Sequence, residues 1–227
     1  MSETSVPNAI CSTVVDYVID QVAKKIYNVG DKLPPERDLA KQMNVSRATV
    51  REAIKVLNYL GFIDSNQGSG NYISNAYSRT TANIMEVMFR RGDVDFEGFT
   101  AFRQMLELQA FSLALDKVTV EQTIEMRQII DLLDTTTDDA FIFNLDNRFH
   151  TLLAEASHNQ LIIINFHALS SVIGEYMAYT HNQTVAKKAD GFKTLQKYHH
   201  EIIDALISKD SEKGITAIHN HFAWIAK

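Results

Sequence analysis

Val14, Val15, Val18, Ile19, Val22 and Ile26 recur at helical spacing and predict a first helix from about Ser12 to Tyr27. Asn28-Val29-Gly30-Asp31 closes it, because Gly30 can take a positive φ and Pro34-Pro35 cannot continue a helix. Pro35 opens a second helix at its first turn, where a missing N–H costs nothing. Leu39, Ala40 and Met43 form its inner face, and Asn44, which tolerates left-handed backbone, ends it. Ser46 suits the N-cap of a third helix with Val50, Ile54, Leu57 and Leu60 facing inward and Gly61 as terminator. Phe62–Ser65 and Asn71–Ile73 are short apolar stretches around Gln67-Gly68-Ser69-Gly70, which predicts a β-hairpin.

Beyond Ser74 the pattern is helical throughout. Helices are predicted over roughly 80–91, 97–116, 119–134, 138–157, 160–181, 191–208 and 211–226. Breaks fall at Gly92-Asp93, Thr135-Thr136-Thr137, His158-Asn159, Asn182-Gln183 and Lys209-Asp210. The expected fold is therefore mainly α. A winged helix-turn-helix with a small β-wing occupies residues 1–75, a linker 76–79, and an antiparallel helical bundle 80–227.

Charge sharpens this division. The formal net charge is −6, yet residues 1–75 carry eight basic and eight acidic side chains, so the whole excess lies in the helical part. Within 32–55 six basic residues face three acidic ones, a local footprint compatible with a nucleic-acid partner. The single cysteine, Cys11, excludes an intrachain disulfide and fits a reducing compartment. No leader-like start and no membrane-length apolar run is present, so the expectation is a cytoplasmic protein that does not enter a membrane.

Arg47 and Arg51 stand one helical turn apart at the start of the third helix. A recognition helix enters the major groove by this end, and a guanidinium can bond O6 and N7 of guanine together. The stretches LPPERDLA, VSRATVREAIKVLNYLGFI and QGSGNYI closely resemble the winged-helix domain of the GntR family of bacterial transcription regulators. The helical remainder resembles its FadR-type subgroup, so the resemblance covers nearly the whole chain. It implies that Arg37, Arg47 and Arg51 contact DNA, with Ser46 and Thr49 on phosphates and Gln67 and Gly68 at the wing tip in the minor groove. Gln67 is neutral, so minor-groove attraction there is weaker than a basic residue would give. The bland reading of these arginines is surface ion pairing, for Arg37 with Glu36 or Asp38. A single winged helix makes a small contact, so a homodimer on a pseudo-palindromic operator is expected; repression relieved by a metabolite is the commoner mode in the family, and activation stays open.

In FNLDNRFHTLLAEASHN, Asp146 and His150 lie four apart on one helix face, where a carboxylate and an imidazole can converge on one ion. His199-His200 and His219-x-His221 follow on later helices, and each pair can readily contribute only one ligand. The FadR-type pattern selects His199 and His221. The implied set is thus Asp146, His150, His199 and His221, suited to Zn²⁺ or Ni²⁺ and less to Mn²⁺. A metal with open positions would suit a small carboxylate effector. Arg103 matches a subgroup position that can bind an acid group, and its bland reading is a pair with Glu107. Tyr176 and Tyr179 could line the same cavity, or be core. His158, His167 and His181 read as structural or exposed.

Two rivals stand beside this reading. One keeps the regulator but makes the metal structural, or the ligand an acyl chain. The other is a helical-bundle metalloenzyme, suggested by the E-x-x-H of Glu155 and His158. Di-iron sites need two such motifs and further glutamates, and this chain has one motif. The expectation is a protein that is not an enzyme.

Overall fold

A computed structural model describes residues 9–180 and 191–225. His181, the break at Asn182-Gln183 and the side chains of Tyr176 and Tyr179 lie outside the described residues. The chain divides into two compact units between Thr80 and Thr81.

The first unit holds α1 (Ala9–Ala23), α2 (Glu36–Met43), α3 (Arg47–Tyr59), β1 (Ile63–Asn66), β2 (Gly70–Ile73) and the start of α4 (Tyr77–Arg90). Its core joins Val14 and Val18 of α1 to Leu39, Val50, Ile54, Leu57, Ile63 and Ile73, with Cys11 buried among them. Asn44 caps α2 in the left-handed region (φ 54°), and Ser46 Oγ accepts from Thr49 N at 3.1 Å to cap α3. The strands pair antiparallel, Ile63 with Ile73 through Asn66 with Gly70.

Leu60, read as facing inward, is instead the exposed C-cap of α3, and three further details differ from the sequence reading. α1 stops at Ala23, four residues before Tyr27. Lys25 takes φ 58° and Ile26 N bonds back to Gln21 O at 2.9 Å, a Schellman-type closure that leaves Ile26 exposed. The wing also gains a third rung: Lys32 bridges Tyr72, and Leu33 N donates to Asn71 O at 2.8 Å. Finally, Tyr77–Arg79, read as linker, form the first turn of α4. That turn is tethered to its own unit, because Arg79 Nη2 donates to Asp64 Oδ1 at 2.8 Å and Thr80 Oγ1 to Tyr59 O at 2.8 Å. Ala76 approaches so closely that a Cβ on Gly61 would stand 2.6 Å from its carbonyl oxygen, at a φ of +73°.

The second unit continues α4 and adds α5 (Phe96–Ala114), α6 (Val120–Thr135), α7 (Asp139–Ala156), α8 (Gln160–Thr180), α9 (Gly191–Ser208) and α10 (Ser211–Ile225). Polar caps start three of these helices: Asp95 on Gly98 N, a Thr119–Gln122 capping box, and Asp138 on Phe141 N. α5 packs on α7 and α10, α7 on α6 and α8, and α9 on α6 and α10. Phe111, Phe149, Phe166, Ile130, Leu152, Ile203 and Ile218 fill the core. Gly214 lets α10 lie against α5, since a Cβ there would overlap the Phe111 ring. The fold is mainly α, a winged helix-turn-helix followed by a helical domain.

Candidate functional site

Three helices of the helical unit aim four polar side chains into a largely apolar core. Asp146 and His150 lie four apart on α7, His199 is on α9 and His221 on α10, and all four are buried. One ligating atom from each lies within 4.8 Å of every other. His150 Nε2 stands 3.2 Å from His199 Nε2, and Asp146 Oδ1 lies 3.7 Å and 3.3 Å from those two nitrogens. The rings of Phe149 and Phe222 wall the cluster at 5.0–5.3 Å between centroids.

The hydrogen bonds behind the imidazoles decide which nitrogens face inward as acceptors. His150 Nδ1 meets Glu107 Oε2 at 2.7 Å; a carboxylate accepts only, so that nitrogen carries the proton. In its neutral, cation-binding form that ring presents its lone pair at Nε2. His199 Nδ1 lies 3.4 Å from Gln196 Oε1, which favours the same tautomer. Burial holds the His199 pKa down at about 4 despite the opposing pull of Asp146, and burial pushes His221 lower as well. Both rings are thus neutral at pH 7, the form that binds a cation.

Converging lone pairs at 3.2–3.7 Å repel one another unless a proton or a metal cation lies among them. A tetrahedral ion bound at about 2.0–2.1 Å spaces its ligands by roughly 3.3–3.4 Å, close to these separations. His221 Nδ1 is buried with no hydrogen-bond partner among the described residues. The donor set of three imidazoles and a carboxylate fits a divalent transition metal on all these counts.

Glu107 is the residue that the sequence reading undervalued. It is fully buried on α5 and joins two partners, with Arg103 Nε donating to Oε1 at 2.7 Å and His150 at Oε2. Burial works to raise its pKa, but its partners His150 and Arg103 outweigh that and hold it below the usual carboxylate range. The available signal was a glutamate on the same helix face as Leu106, Ala110, Phe111 and Ala114, all buried. Gln196 was missed for want of any pattern to mark it. Arg103 does pair with Glu107, and it also stands at the cluster, 4.0 Å from Asp146 Oδ2 and over the rings of Phe166 and Phe222. His200 instead meets Asp134 at 2.9 Å on the surface, and His219 meets Gln104 at 3.0 Å. His167 pairs with Glu155, which also binds Arg148, so the E-x-x-H pair is not gathered into the cluster.

In the first unit Arg47 and Arg51 share the N-terminal half of α3, and both are exposed. Arg47 has no ion-pair partner among the described residues. Arg51 pairs with Glu36 at 3.2 Å and Arg37 with Asp38 at 3.3 Å. Such exposed pairs contribute about 0–1 kcal/mol, so either arginine can leave its partner for phosphate or base. Ser46 and Thr49 share a hydrogen bond at 2.9 Å at the helix start. Gln67 and Gly68 sit at the exposed hairpin turn, Gly68 with φ 79°.

A winged helix with an arginine-bearing helix start, followed by an all-helical domain, defines a DNA-binding regulator of transcription. Residues 11–73 match the pattern described as "Bacterial regulatory proteins, gntR family", and residues 99–223 match the FCD domain. The chain belongs to the gntR family of bacterial regulatory proteins, with a C-terminal FCD domain. It is 26% identical over 193 residues to the HTH-type transcriptional regulator LutR of Bacillus subtilis, covering 85% of this chain and 88% of that protein. It is 26% identical over 224 residues to the putative L-lactate dehydrogenase operon regulatory protein of Escherichia coli, covering 96% and 86%. To the Uxu operon transcriptional regulator of Escherichia coli it is 30% identical over 147 residues, 63% of this chain but only 57% of that relative. A solved structure, Streptococcus agalactiae GntR, shares the fold with a TM-score of 0.76 at 23% identity, over 95% of this chain and 98% of that one. These relatives are transcriptional regulators, and the protein is not an enzyme. No helix among the described residues is long and apolar enough to cross a membrane.

Proposed function

We propose that this regulator works in the cytoplasm as a homodimer on a pseudo-palindromic operator and is controlled by a small carboxylate at a divalent-metal centre in its FCD domain. The observation that carries the effector half is the buried convergence of Asp146, His150, His199 and His221, with two imidazole Nε2 atoms 3.2 Å apart. Zn²⁺ or Ni²⁺ is the best match to three nitrogens and one oxygen. The metal, when bound, would supply a Lewis acid, and an ion that expands beyond four ligands would take a carboxylate in the added positions. Glu107 fixes the His150 ring through Nδ1, as outer-shell carboxylates do. Arg103 brings a cation beside Asp146, where an acid group would meet it. A long acyl chain would need an apolar site instead. L-lactate, the substrate of the enzyme in one relative's name, is a small acid of the class this site suits.

On the DNA side, Arg47 and Arg51 read bases, while Arg37, Ser46 and Thr49 hold phosphates and Gln67 and Gly68 approach the minor groove. Each winged helix makes a small contact, so two-fold pairing is what gives useful affinity. The effector changes operator affinity only so far as it binds one dimer arrangement more tightly than another, and relief of repression is the expected sense.

Elemental analysis before and after exhaustive chelation, joined to thermal shift with small carboxylic acids, tests this reading. The expected result is about one transition metal per chain and an acid-induced shift that chelation abolishes. Metal-free protein that still shows the acid shift would overturn the metal-centred reading.

A further inference from the structure

The hairpin that carries the wing is poor in charge. Asp64 is the only charged residue between Phe62 and Ile73. Its carboxylate is already engaged by Arg79 Nη2 and by Ser74 Oγ, both at 2.8 Å. A wing with nothing positive on it would add little to binding a polyanion. The tertiary structure supplies a cation from elsewhere in the chain. Lys32, from the segment between α1 and α2, forms an antiparallel bridge with Tyr72. Tyr72 is in turn paired with Asp64 across the strands, so the three residues form one cross-strand row.

Several contacts fix where the ammonium stands. Lys32 Nζ lies over the Tyr72 ring, 5.8 Å from its centroid, within cation–π range. Tyr72 Oη shares a hydrogen bond with Ser69 Oγ at 2.6 Å, which ties the ring to the hairpin turn. The Lys32 stem crosses Gly70 so closely that a Cβ there would lie 2.8 Å from Lys32 Cε. Gly70, at φ +118°, thus leaves the channel the lysine occupies. Asp31, the acid next in sequence, is turned to its own loop, where Oδ2 accepts from Asn28 N at 2.7 Å. Lys32 remains exposed and makes no ion pair among the described residues. An exposed ammonium held in place beside a glycine turn, with the nearby carboxylates engaged elsewhere, is a built contact for an anionic backbone.

We propose that Lys32 is the phosphate contact of the wing, substituting from the neighbouring segment for the charge that Gln67 does not carry. This rests on the DNA-binding reading of the winged helix given above. A lysine meets a phosphate as a point charge, so the contact positions the wing and does not read sequence.

The test is the salt dependence of binding to a short mixed-sequence duplex, measured on the full chain across about 50–200 mM salt. Lys32→Gln is expected to reduce the slope of log K against log salt by about 0.9 per chain, twice that for a dimer. Lys32→Arg should restore the slope, and Lys213→Gln, on α10, should leave it unchanged. An unaltered slope in Lys32→Gln overturns the proposal while the DNA reading stands. An equal loss in Lys213→Gln overturns it too, because the effect would then be one of bulk charge. Failure of the unaltered chain to bind the duplex at low salt would sink the DNA reading itself.

Discussion

The imidazoles of His150 and His199 face each other through their Nε2 atoms at 3.2 Å, across a buried cleft between α7 and α9. The outer nitrogen of the first is occupied by Glu107 and that of the second by Gln196. In their neutral forms two rings so arranged present lone pairs to one another, and Asp146 adds a third electron-rich atom at 3.3 Å from His199. A cation is the simplest chemical resolution of that arrangement.

His199 and its neighbour separate a ligand from a bystander. His199→Ala is expected to abolish metal binding, whereas His200→Ala, which removes only a surface pair with Asp134, should leave stoichiometry intact. Metal content by elemental analysis checks both. The winged helix has its own core, so it should stay folded in either variant.

Glu107→Gln keeps the shape but removes the charge behind His150. Loss of an outer-shell partner typically weakens metal affinity about 10–100-fold. A chelator competition assay should find Glu107→Gln in that range, and affinity equal to the unaltered chain would reduce Glu107 to a partner of Arg103.

Acid should destabilise the chelated protein. His199 titrates at about 4 when folded against 6.5 when unfolded, so between these values the unfolded chain binds more protons. Stability is then complete above about pH 6.5 and is lost as pH falls toward 4, on the order of 3 kcal/mol for this residue alone. The depressed pKa values of His221 and Glu107 act in the same sense. Urea midpoints of the chelated protein at stepped pH measure it; a flat profile across that window would contradict the assignment.

Arg47→Ala should cost about 1–3 kcal/mol of specific operator binding, the worth of a bidentate base contact. Arg51→Ala should cost less than an isolated contact of that kind, because Arg51 must first leave Glu36. Titrations at matched salt against operator and mismatched duplexes check both, and equal affinity for the two duplexes in the unaltered chain would remove the base-reading role.

The sequence by itself determined those features whose causes lie within a few residues. Ser46, Asn44 and Pro35 bound α2 and α3 because caps and proline act on the adjacent backbone alone. The same holds for Asp146 and His150 sharing a face of α7, which follows from helical repeat. The choice of His199 over His200 came from a family pattern, and the packing of α9 now gives its physical counterpart: one ring faces the core, its neighbour the surface.

Only the tertiary structure decided the rest. α1 ends at Ala23, although the apolar spacing runs on to Ile26, because Lys25 turns left-handed and the chain must reach the wing. Glu107 pairs with Arg103 as its spacing suggests, yet its second oxygen is claimed by a histidine 43 residues away. Lys32 joins the wing through a bridge to Tyr72, forty positions further along. Contacts of this kind depend on which surfaces meet when the helices pack, and no short-range preference encodes them.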